Sequence, residues 1–245
     1  MPPMKLTKQK FDRIVNGGIA TAEKCALPIL MFDAGKETIN SATGIIIRTA
    51  KGAVLATAGH VIDEFIRLGE AGRMQIGGSG YVLKNVAGRI VMSRDVDFGL
   101  IRLTDDDVAR SRWSALPASS LHFGGVRKMD LVAYVGFPGC WKEVESAKTM
   151  VMGRLFCAGA IETVELDQFS IRIDERRYEL EKGQMGPLEE AGGISGAPVF
   201  SLFDFNDSRM REPLLVGWIH EGMVWDDLAQ KHYAVQASTV SSLFT

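Results

Sequence analysis

Three short segments of the 245-residue chain carry side chains whose types suit acyl transfer. His60 directly follows an apolar run, Asp97 leads into another, and Ser195 stands among glycines just before a third. A serine hydroxyl is a poor nucleophile near neutral pH, so a neighbouring imidazole must accept its proton. A buried carboxylate orients that imidazole and stabilises its charged form. Backbone N–H groups of a glycine-rich turn can hold the oxyanion of the tetrahedral intermediate, because glycine adopts the necessary backbone angles.

The three segments resemble the motifs of the trypsin/chymotrypsin-fold serine proteases, most of all the bacterial trypsin-like peptidase branch. Ala56-Thr57-Ala58-Gly59-His60 is similar to T-A-A-H, with glycine in place of the second alanine. Asp97-Phe98-Gly99-Leu100-Ile101 is similar to D-[IL]-A-L-[LI], and Gly193-Ile194-Ser195-Gly196-Ala197-Pro198 to G-[DN]-S-G-G-P. The order His, Asp, Ser is also the order of that family, at spacings of 37 and 98 residues.

The resemblance implies a role for each residue. Ser195 is the nucleophile, His60 the general base and Asp97 the orienting carboxylate, while the N–H groups of Gly193 and Ser195 form the oxyanion hole. Two further segments agree, since 134–139 resembles V-G-[YF]-P-G and 216–222 resembles the strand that pairs with the substrate backbone. The resemblance covers roughly residues 27 to 244, and it implies a serine endopeptidase.

Two positions of the serine segment also depart from the family. Ile194 stands where trypsin has an aspartate that pairs with a freshly cleaved N-terminal amine. The segment Arg13-Ile14-Val15-Asn16-Gly17-Gly18 resembles the R-I-V-G-G cleavage site of trypsin-like zymogens, but that amine would find no acid at position 194. We therefore interpret the segment as a coincidence within a helix or loop and expect no N-terminal cleavage. Ala197 replaces the second glycine of the family motif, and we expect it to be tolerated.

The resemblance assigns three residues to the substrate pocket. Glu189 lies six residues before Ser195, at the position of the pocket base, and would favour Lys or Arg in the substrate. His220 and Gly222 belong to the strand that lines the pocket, and in some relatives a histidine there selects Glu. The two indications point in opposite directions, and Glu189 also fits a solvent-exposed loop.

Each residue also has an ordinary structural interpretation. Taken alone, His60 would be a packing or surface histidine, and its order with Asp97 and Ser195 is what favours catalysis. Asp95 competes with Asp97, which we prefer because it immediately precedes the apolar strand. We expect only packing or surface roles for four other residues, Cys140, Cys157, His122 and His232. The alternative function is a protease-fold binding or scaffold protein without turnover, or a latent protease that a partner activates.

Composition narrows the function further. Lys and Arg number 28 and Asp and Glu 30, which leaves no basic surplus for nucleic acid or an anionic membrane. No apolar run is long enough to span a bilayer. The 3 Cys form neither a disulfide framework nor a CxxC pair, and no motif indicates a metal or a cofactor. With no secretory signal near the start, we expect a cytoplasmic protein that acts on protein or peptide substrates, under possible control by a regulatory partner.

The surrounding elements must position these residues. Residues 4 to 24 show helical periodicity, and from Leu27 onward short apolar runs alternate with turn residues, which is typical of barrel strands. Thr104 followed by three aspartates predicts a helix N-cap. The resemblance to the trypsin-like family implies an all-β fold of two six-stranded antiparallel barrels. The predicted units are an N-terminal helical extension (1–26), a first barrel (27–115) and a second barrel (116–245) that ends in a short helix.

Overall fold

A computed structural model describes the chain over residues 8–33, 36–69, 72–139, 142–146, 149–179, 192–203, 213–226 and 229–244. Three α-helices occur in these ranges: α1 (Lys8–Cys25), α2 (Gly59–Arg67) and α3 (Asp105–Ser111). Single turns of 3-10 helix also occur at Ala87–Arg89, Ala118–Ser120 and Ser241–Phe244. Helix α3 begins at the predicted cap, because the Thr104 hydroxyl accepts the N–H of Asp107 while the Asp107 carboxylate accepts the N–H of Thr104.

The first sheet contains eight strands that follow one another in sequence. They are β1 (Ala26–Asp33), β2 (Lys36–Thr49), β3 (Gly52–Ala58), β4 (Arg73–Ile76), β5 (Tyr81–Val82), β6 (Ile90–Ser93), β7 (Phe98–Leu103) and β8 (Leu116–Pro117). Seven are hydrogen-bonded in the order β5-β4-β1-β2-β3-β7-β6, all antiparallel, and β8 pairs in parallel with β2.

The remaining strands form a closed barrel and a hairpin. They are β9 (Leu131–Gly136), β10 (Lys142–Ser146), β11 (Thr149–Met152), β12 (Arg154–Val164), β13 (Gln168–Glu179), β14 (Pro198–Phe203), β15 (Leu214–Asp226) and β16 (Ala229–Gln236). Strands β12-β13-β16-β15-β14-β9 close on themselves, whereas β10 pairs only with β11 in the described part of the chain. Closure removes the unpaired edges of this sheet.

The two-barrel architecture predicted from the sequence is confirmed, with one difference in detail. The second unit is a six-stranded closed barrel, but the first is a curled sheet of eight strands whose hydrogen-bonded path ends at β5 and β6. These edge strands are short, and every residue of β6 is partly exposed. The helix predicted at the N-terminus is α1, and the closing helix is the single 3-10 turn at Ser241–Phe244.

An apolar cluster joins α1 to the facing sides of both sheets. Ile14, Val15 and Ile19 form a helical stripe in α1 that is buried against the second barrel. Between the sheets, the rings of Phe98 and Trp218 lie 4.5 Å apart, centroid to centroid. Phe98 directly follows Asp97 and Trp218 lies two residues before His220, so the two units meet close to both residues. In the described ranges, no helix is both long and apolar enough to cross a membrane.

Candidate active site

His60 and Asp97 meet because β3 and β7 are paired. Ala58, the last residue of β3, is opposite Phe98, the first residue of β7. Helix α2 starts at once after β3, so His60 lies in its first turn, directly beside Asp97. The Nδ1 atom of the His60 ring is 2.8 Å from Oδ2 of Asp97, and the backbone N–H of His60 donates to Oδ1 over 2.6 Å. Both carboxylate oxygens are therefore bound by the same histidine.

This pairing changes the basicity of the imidazole. The hydrogen bond to Asp97 raises the pKa of His60 above its ordinary value, burial opposes the rise, and the negative charges of Asp97 and Asp63 add to it. When Nδ1 donates to the carboxylate, Nε2 is the ring nitrogen left to accept a proton. The pair can thus serve as a general base.

The backbone around Asp97 explains why glycine precedes the histidine. Asp97 has φ +47°, a left-handed conformation that Asp tolerates better than most residues. The Gly59 N–H donates to the Asp97 carbonyl over 2.9 Å, and a Cβ at position 59 would lie 3.0 Å from that carbonyl carbon and from Oδ1. The close approach of the two backbones therefore favours glycine at position 59. The rival candidate, Asp95, is exposed to solvent, and it is Asp97 that contacts the ring.

Ser195 is held in a tight turn between the two sheets. Gly193 has φ +99°, and a Cβ there would lie 2.5 Å from the carbonyl oxygen of Phe137, so this position requires glycine. The turn is closed by the N–H of Ala197, which donates to the carbonyl oxygen of Ile194 over 2.9 Å. The Ser195 side chain is partly buried at the turn's surface.

Two carbonyl oxygens of this turn accept hydrogen bonds from neighbouring backbone N–H groups. The Gly192 oxygen accepts the N–H of Gly139 over 2.6 Å, and the Ile194 oxygen accepts the N–H of Ala197. In a trans peptide the C=O and the following N–H point in opposite directions, so these bonds also set the direction of the N–H groups of Gly193 and Ser195. No backbone carbonyl of the described residues accepts either N–H group. Among the described residues, both N–H groups are thus left without a backbone acceptor.

Thr43, on β2 of the first sheet, supplies the remaining support. Its hydroxyl donates to the carbonyl oxygen of Gly193 over 2.7 Å and accepts the N–H of Phe137 over 3.0 Å. Its N–H donates to the carbonyl oxygen of Ser195 over 2.9 Å. Thr43 is fully buried and was not identified from the sequence. No local sequence pattern marks it, because its partners lie far away along the chain.

His60 and Ser195 line the same cleft between the sheets, which has a volume of about 600 Å³. Asn40, Ser41 and Glu64 also line this cleft, and their place there was not predicted from the sequence. Although both residues are described, no hydrogen bond joins the Ser195 hydroxyl to the His60 ring. Such bonds often tighten only when substrate is bound.

The structure describes two of the three residues predicted to line the substrate pocket, Gly222 and His220. Glu189 lies outside the described residues, and Gly222 lies within β15. The ring of His220 lies beside Asp97, with Nδ1 3.9 Å from Oδ2, and its Nε2 is 3.2 Å from Oε1 of Gln168. Burial lowers the pKa of His220. The pocket role of these residues stays a prediction, while the structure adds an unpredicted contact between His220 and Asp97.

The two departures from the family motifs have clear structural settings. Ile194 is completely buried in the apolar interior of the second barrel. Ile14 lies within α1 and is 5% exposed, so the segment that resembles a cleavage site is helical, as the sequence analysis proposed. Ala197 is buried, and its N–H makes the hydrogen bond to the Ile194 carbonyl oxygen that closes the turn.

The residues expected to have packing or surface roles occupy buried or partly exposed positions where they are described. Cys157 is buried in the second barrel, and His122 is partly exposed. His232 is buried, and its ring is hydrogen-bonded to the hydroxyl of Tyr134. Cys140 lies outside the described residues.

No protein-family model and no curated protein matches the sequence. Solved structures are similar at low identity. A protease of M. tuberculosis in its active form is 16% identical, with a TM-score of 0.50 over 94% of this chain and 83% of that one. A thermostable serine protease from an extremophilic microorganism is 12% identical, with a TM-score of 0.55 over 92% and 96%.

A third structure, the serine endoprotease from Yersinia pestis, is 12% identical, with a TM-score of 0.50. The match covers 93% of this chain and 64% of that protein, which is less than two thirds of its length. Together these likenesses show that the chain has the trypsin-like fold of two packed β units.

Proposed function

We propose that this chain is a serine endopeptidase in which Ser195 is the nucleophile, His60 the general base and Asp97 the carboxylate that orients it. One observation carries the proposal: a hydrogen-bonded His60–Asp97 pair shares a cleft with a serine whose turn presents two backbone N–H groups of fixed direction. A fold neighbour can supply the architecture, but acyl transfer requires these groups in particular.

The geometry supports a two-step reaction. Ser195 Oγ attacks the carbonyl carbon of the peptide bond while His60 Nε2 accepts the hydroxyl proton. The N–H groups of Gly193 and Ser195 stabilise the oxyanion that forms, and His60 then protonates the leaving amine. Water hydrolyses the acyl-enzyme by the same route in reverse, with His60 again acting as base. The reaction needs no cofactor.

The substrates that fit this proposal are proteins or peptides. Strand β15 carries His220, whose ring lies beside Asp97, and we propose that the substrate backbone pairs along this strand as an added strand. Cleavage of a peptide library would test the two predictions for the pocket, with Glu189 favouring a basic residue and His220 an acidic one.

A fluorophosphonate probe tests the nucleophile directly, because it forms a covalent bond only with an activated serine. We expect the wild-type protein to be labelled at Ser195, as located by peptide mass spectrometry, and Ser195→Ala to remain folded but unlabelled. Ser119→Ala is the matched control, because Ser119 is exposed in the 3-10 turn at Ala118–Ser120. Folded wild-type protein that neither labels nor cleaves peptides would contradict the proposal and favour a scaffold or a partner-activated latent protease.

A further inference from the structure

Asp97 faces two imidazole rings. Its Oδ2 is 2.8 Å from Nδ1 of His60, which is a hydrogen bond, and 3.9 Å from Nδ1 of His220, which is too long for one. The second histidine comes from β15 of the other unit and is only 16% exposed. Two side chains that can each carry a positive charge therefore compete for a single carboxylate oxygen.

The surroundings of His220 decide which of its ring nitrogens carries the proton. The Gln168 amide nitrogen donates to Oε2 of Glu165 over 2.8 Å, and a carboxylate can only accept. The amide oxygen of Gln168 consequently faces Nε2 of His220 at 3.2 Å. Because that oxygen is also an acceptor, Nε2 of His220 must be the protonated nitrogen. Neutral His220 thus turns the lone pair of Nδ1 toward Asp97 and has no proton to donate to it.

Several charged groups surround the His220 ring. The charges that act on it are those of Asp97 and of His60, on helix α2, in the first unit, and those of Asp167, in the turn before β13, and Glu221, in β15. Burial lowers the pKa of His220, the three carboxylates oppose this effect, and His60 adds to it. The neutral form therefore dominates at neutral pH and above.

We propose that His220 is a positioning residue for the catalytic pair, an inference that rests on the proposed function. While neutral, His220 leaves Oδ2 of Asp97 to His60. When His220 is protonated, its Nδ1–H becomes a second donor to Oδ2, weakens the bond that orients His60 and lowers the basicity of the His60 ring. Catalysis then requires both histidines to be neutral.

Two substitutions separate charge from shape. His220→Gln keeps a polar, neutral side chain, whereas His220→Lys places a cation beside Asp97. At pH 8, where the native ring is neutral, we expect His220→Gln to lose far less kcat than His220→Lys, on a substrate without an acidic residue at the cleaved position. A cation within hydrogen-bonding range lowers the pKa of a carboxyl by roughly 1–3 units. The lysine should therefore draw Asp97 away from His60 and lower kcat roughly tenfold or more. Circular dichroism checks that both variants fold.

The slope of the pH profile distinguishes this role from a merely structural one, which would leave the slope unchanged. If both histidines must be neutral, the acid limb of log(kcat/KM) for the wild type steepens from a slope of one toward two as the pH falls. His220→Gln should keep a slope of one, while His122→Gln, which changes a partly exposed histidine outside the cleft, should match the wild type.

Proton NMR tests the same competition without turnover. The hydrogen-bonded Nδ1 proton of His60 should be seen at pH 8 in the wild type and in His220→Gln, and it should weaken or shift in His220→Lys. Wild-type kinetics in His220→Lys with an unchanged NMR proton, or an unchanged acid limb in His220→Gln, would overturn the inference. Failure of the wild type to label with fluorophosphonate at any pH would instead overturn the proposed function, so the two failures are distinguishable.

Discussion

The hydroxyl of Thr43 donates a hydrogen bond of 2.7 Å to the carbonyl oxygen of Gly193, although 150 positions separate the two residues. Thr43 belongs to β2, next to the strand that leads into His60, whereas Gly193 belongs to the turn that carries Ser195. A residue of the first sheet therefore sets the orientation of the nucleophile turn in the second. The contact ties the position of the proposed base to that of the proposed nucleophile.

Thr43→Val should damage both stability and activity, since valine keeps the shape but loses the hydroxyl. The buried carbonyl of Gly193 and the N–H of Phe137 would each lose a partner, which should lower the free energy of unfolding by about 2 kcal/mol. The turn would also be less well oriented, so we expect kcat to fall on the order of tenfold to a hundredfold. Denaturant titration and steady-state kinetics measure these effects. Thr239→Val, at an exposed threonine, should change neither quantity.

Asp97→Asn should lower kcat by roughly 10⁴-fold, because an amide no longer fixes the required tautomer of His60. The substitution also removes the main cause of the raised His60 pKa, so the acid limb of kcat/KM should move to lower pH. Activity in the wild type is lost as the pH falls through the raised pKa of His60, since only the neutral ring accepts a proton. Asp95→Asn is the control, and a comparable loss there would show that the wrong aspartate has been assigned.

Gly193→Ala should nearly abolish activity with little effect on either sheet. A Cβ at this position would lie 2.5 Å from the backbone oxygen of Phe137, and the φ of +99° is strained for alanine, so the peptide plane must rotate. Loss of one oxyanion donor costs roughly 10²–10³ in kcat. Active-site labelling rates compared with those of Gly88→Ala, where a Cβ meets open space, measure the effect. Equal rates in the two variants would argue against an oxyanion hole at Gly193.

Asp107→Asn should destabilise the first sheet without touching the site. Asp107 is buried, and its carboxylate is bound by Arg89, by the hydroxyl of Tyr81 and by the N–H of Thr104. Burial alone would raise the pKa of Asp107, but these hydrogen bonds outweigh it and hold the pKa below the ordinary value of 3.8. Removing one partner of such a pair costs about 3 kcal/mol.

The pH dependence of that loss has a definite sign. A lowered carboxyl pKa contributes stability above the unfolded value, and that contribution disappears as the pH falls through the folded value. The difference between wild type and Asp107→Asn should therefore be full at pH 7 and shrink below about pH 4. Urea unfolding at both pH values tests this, with the exposed Asp106→Asn as control.

The sequence was sufficient to predict the residues that stand at strand ends. His60 and Asp97 are each marked by an apolar strand beside them, and Ser195 by its glycines. Thr43 and Gln168 carry no such mark, because their importance arises from partners on other strands. The sequence predicted His220 as a residue of the substrate pocket. Its contact with Asp97 was not predicted, because it depends on how β15 packs against the first unit, and no local sequence pattern encodes that packing.

For the fold as well, features marked by local sequence could be predicted, and features set by nonlocal pairing could not. Alternating apolar runs and turn residues predicted two β units, and the aspartates after Thr104 predicted the start of α3. The strand number of the first sheet was less accessible, because β5 and β8 have only two residues each and are defined by their partners. Closure of the second unit depends on the pairing of β9 with β12 and β14, which again is nonlocal.

Thr43 and His60 belong to the first unit and Ser195 to the second, and this division has a consequence for the order of folding. The first sheet is built from residues 26–117, so we expect it to form before the turn that carries Ser195, which is anchored only when the later barrel packs against it. A newly made chain therefore carries a paired His60 and Asp97 well before it has an oriented serine. Under the proposed function, the ability to cut peptide bonds therefore arises last, after both units have folded.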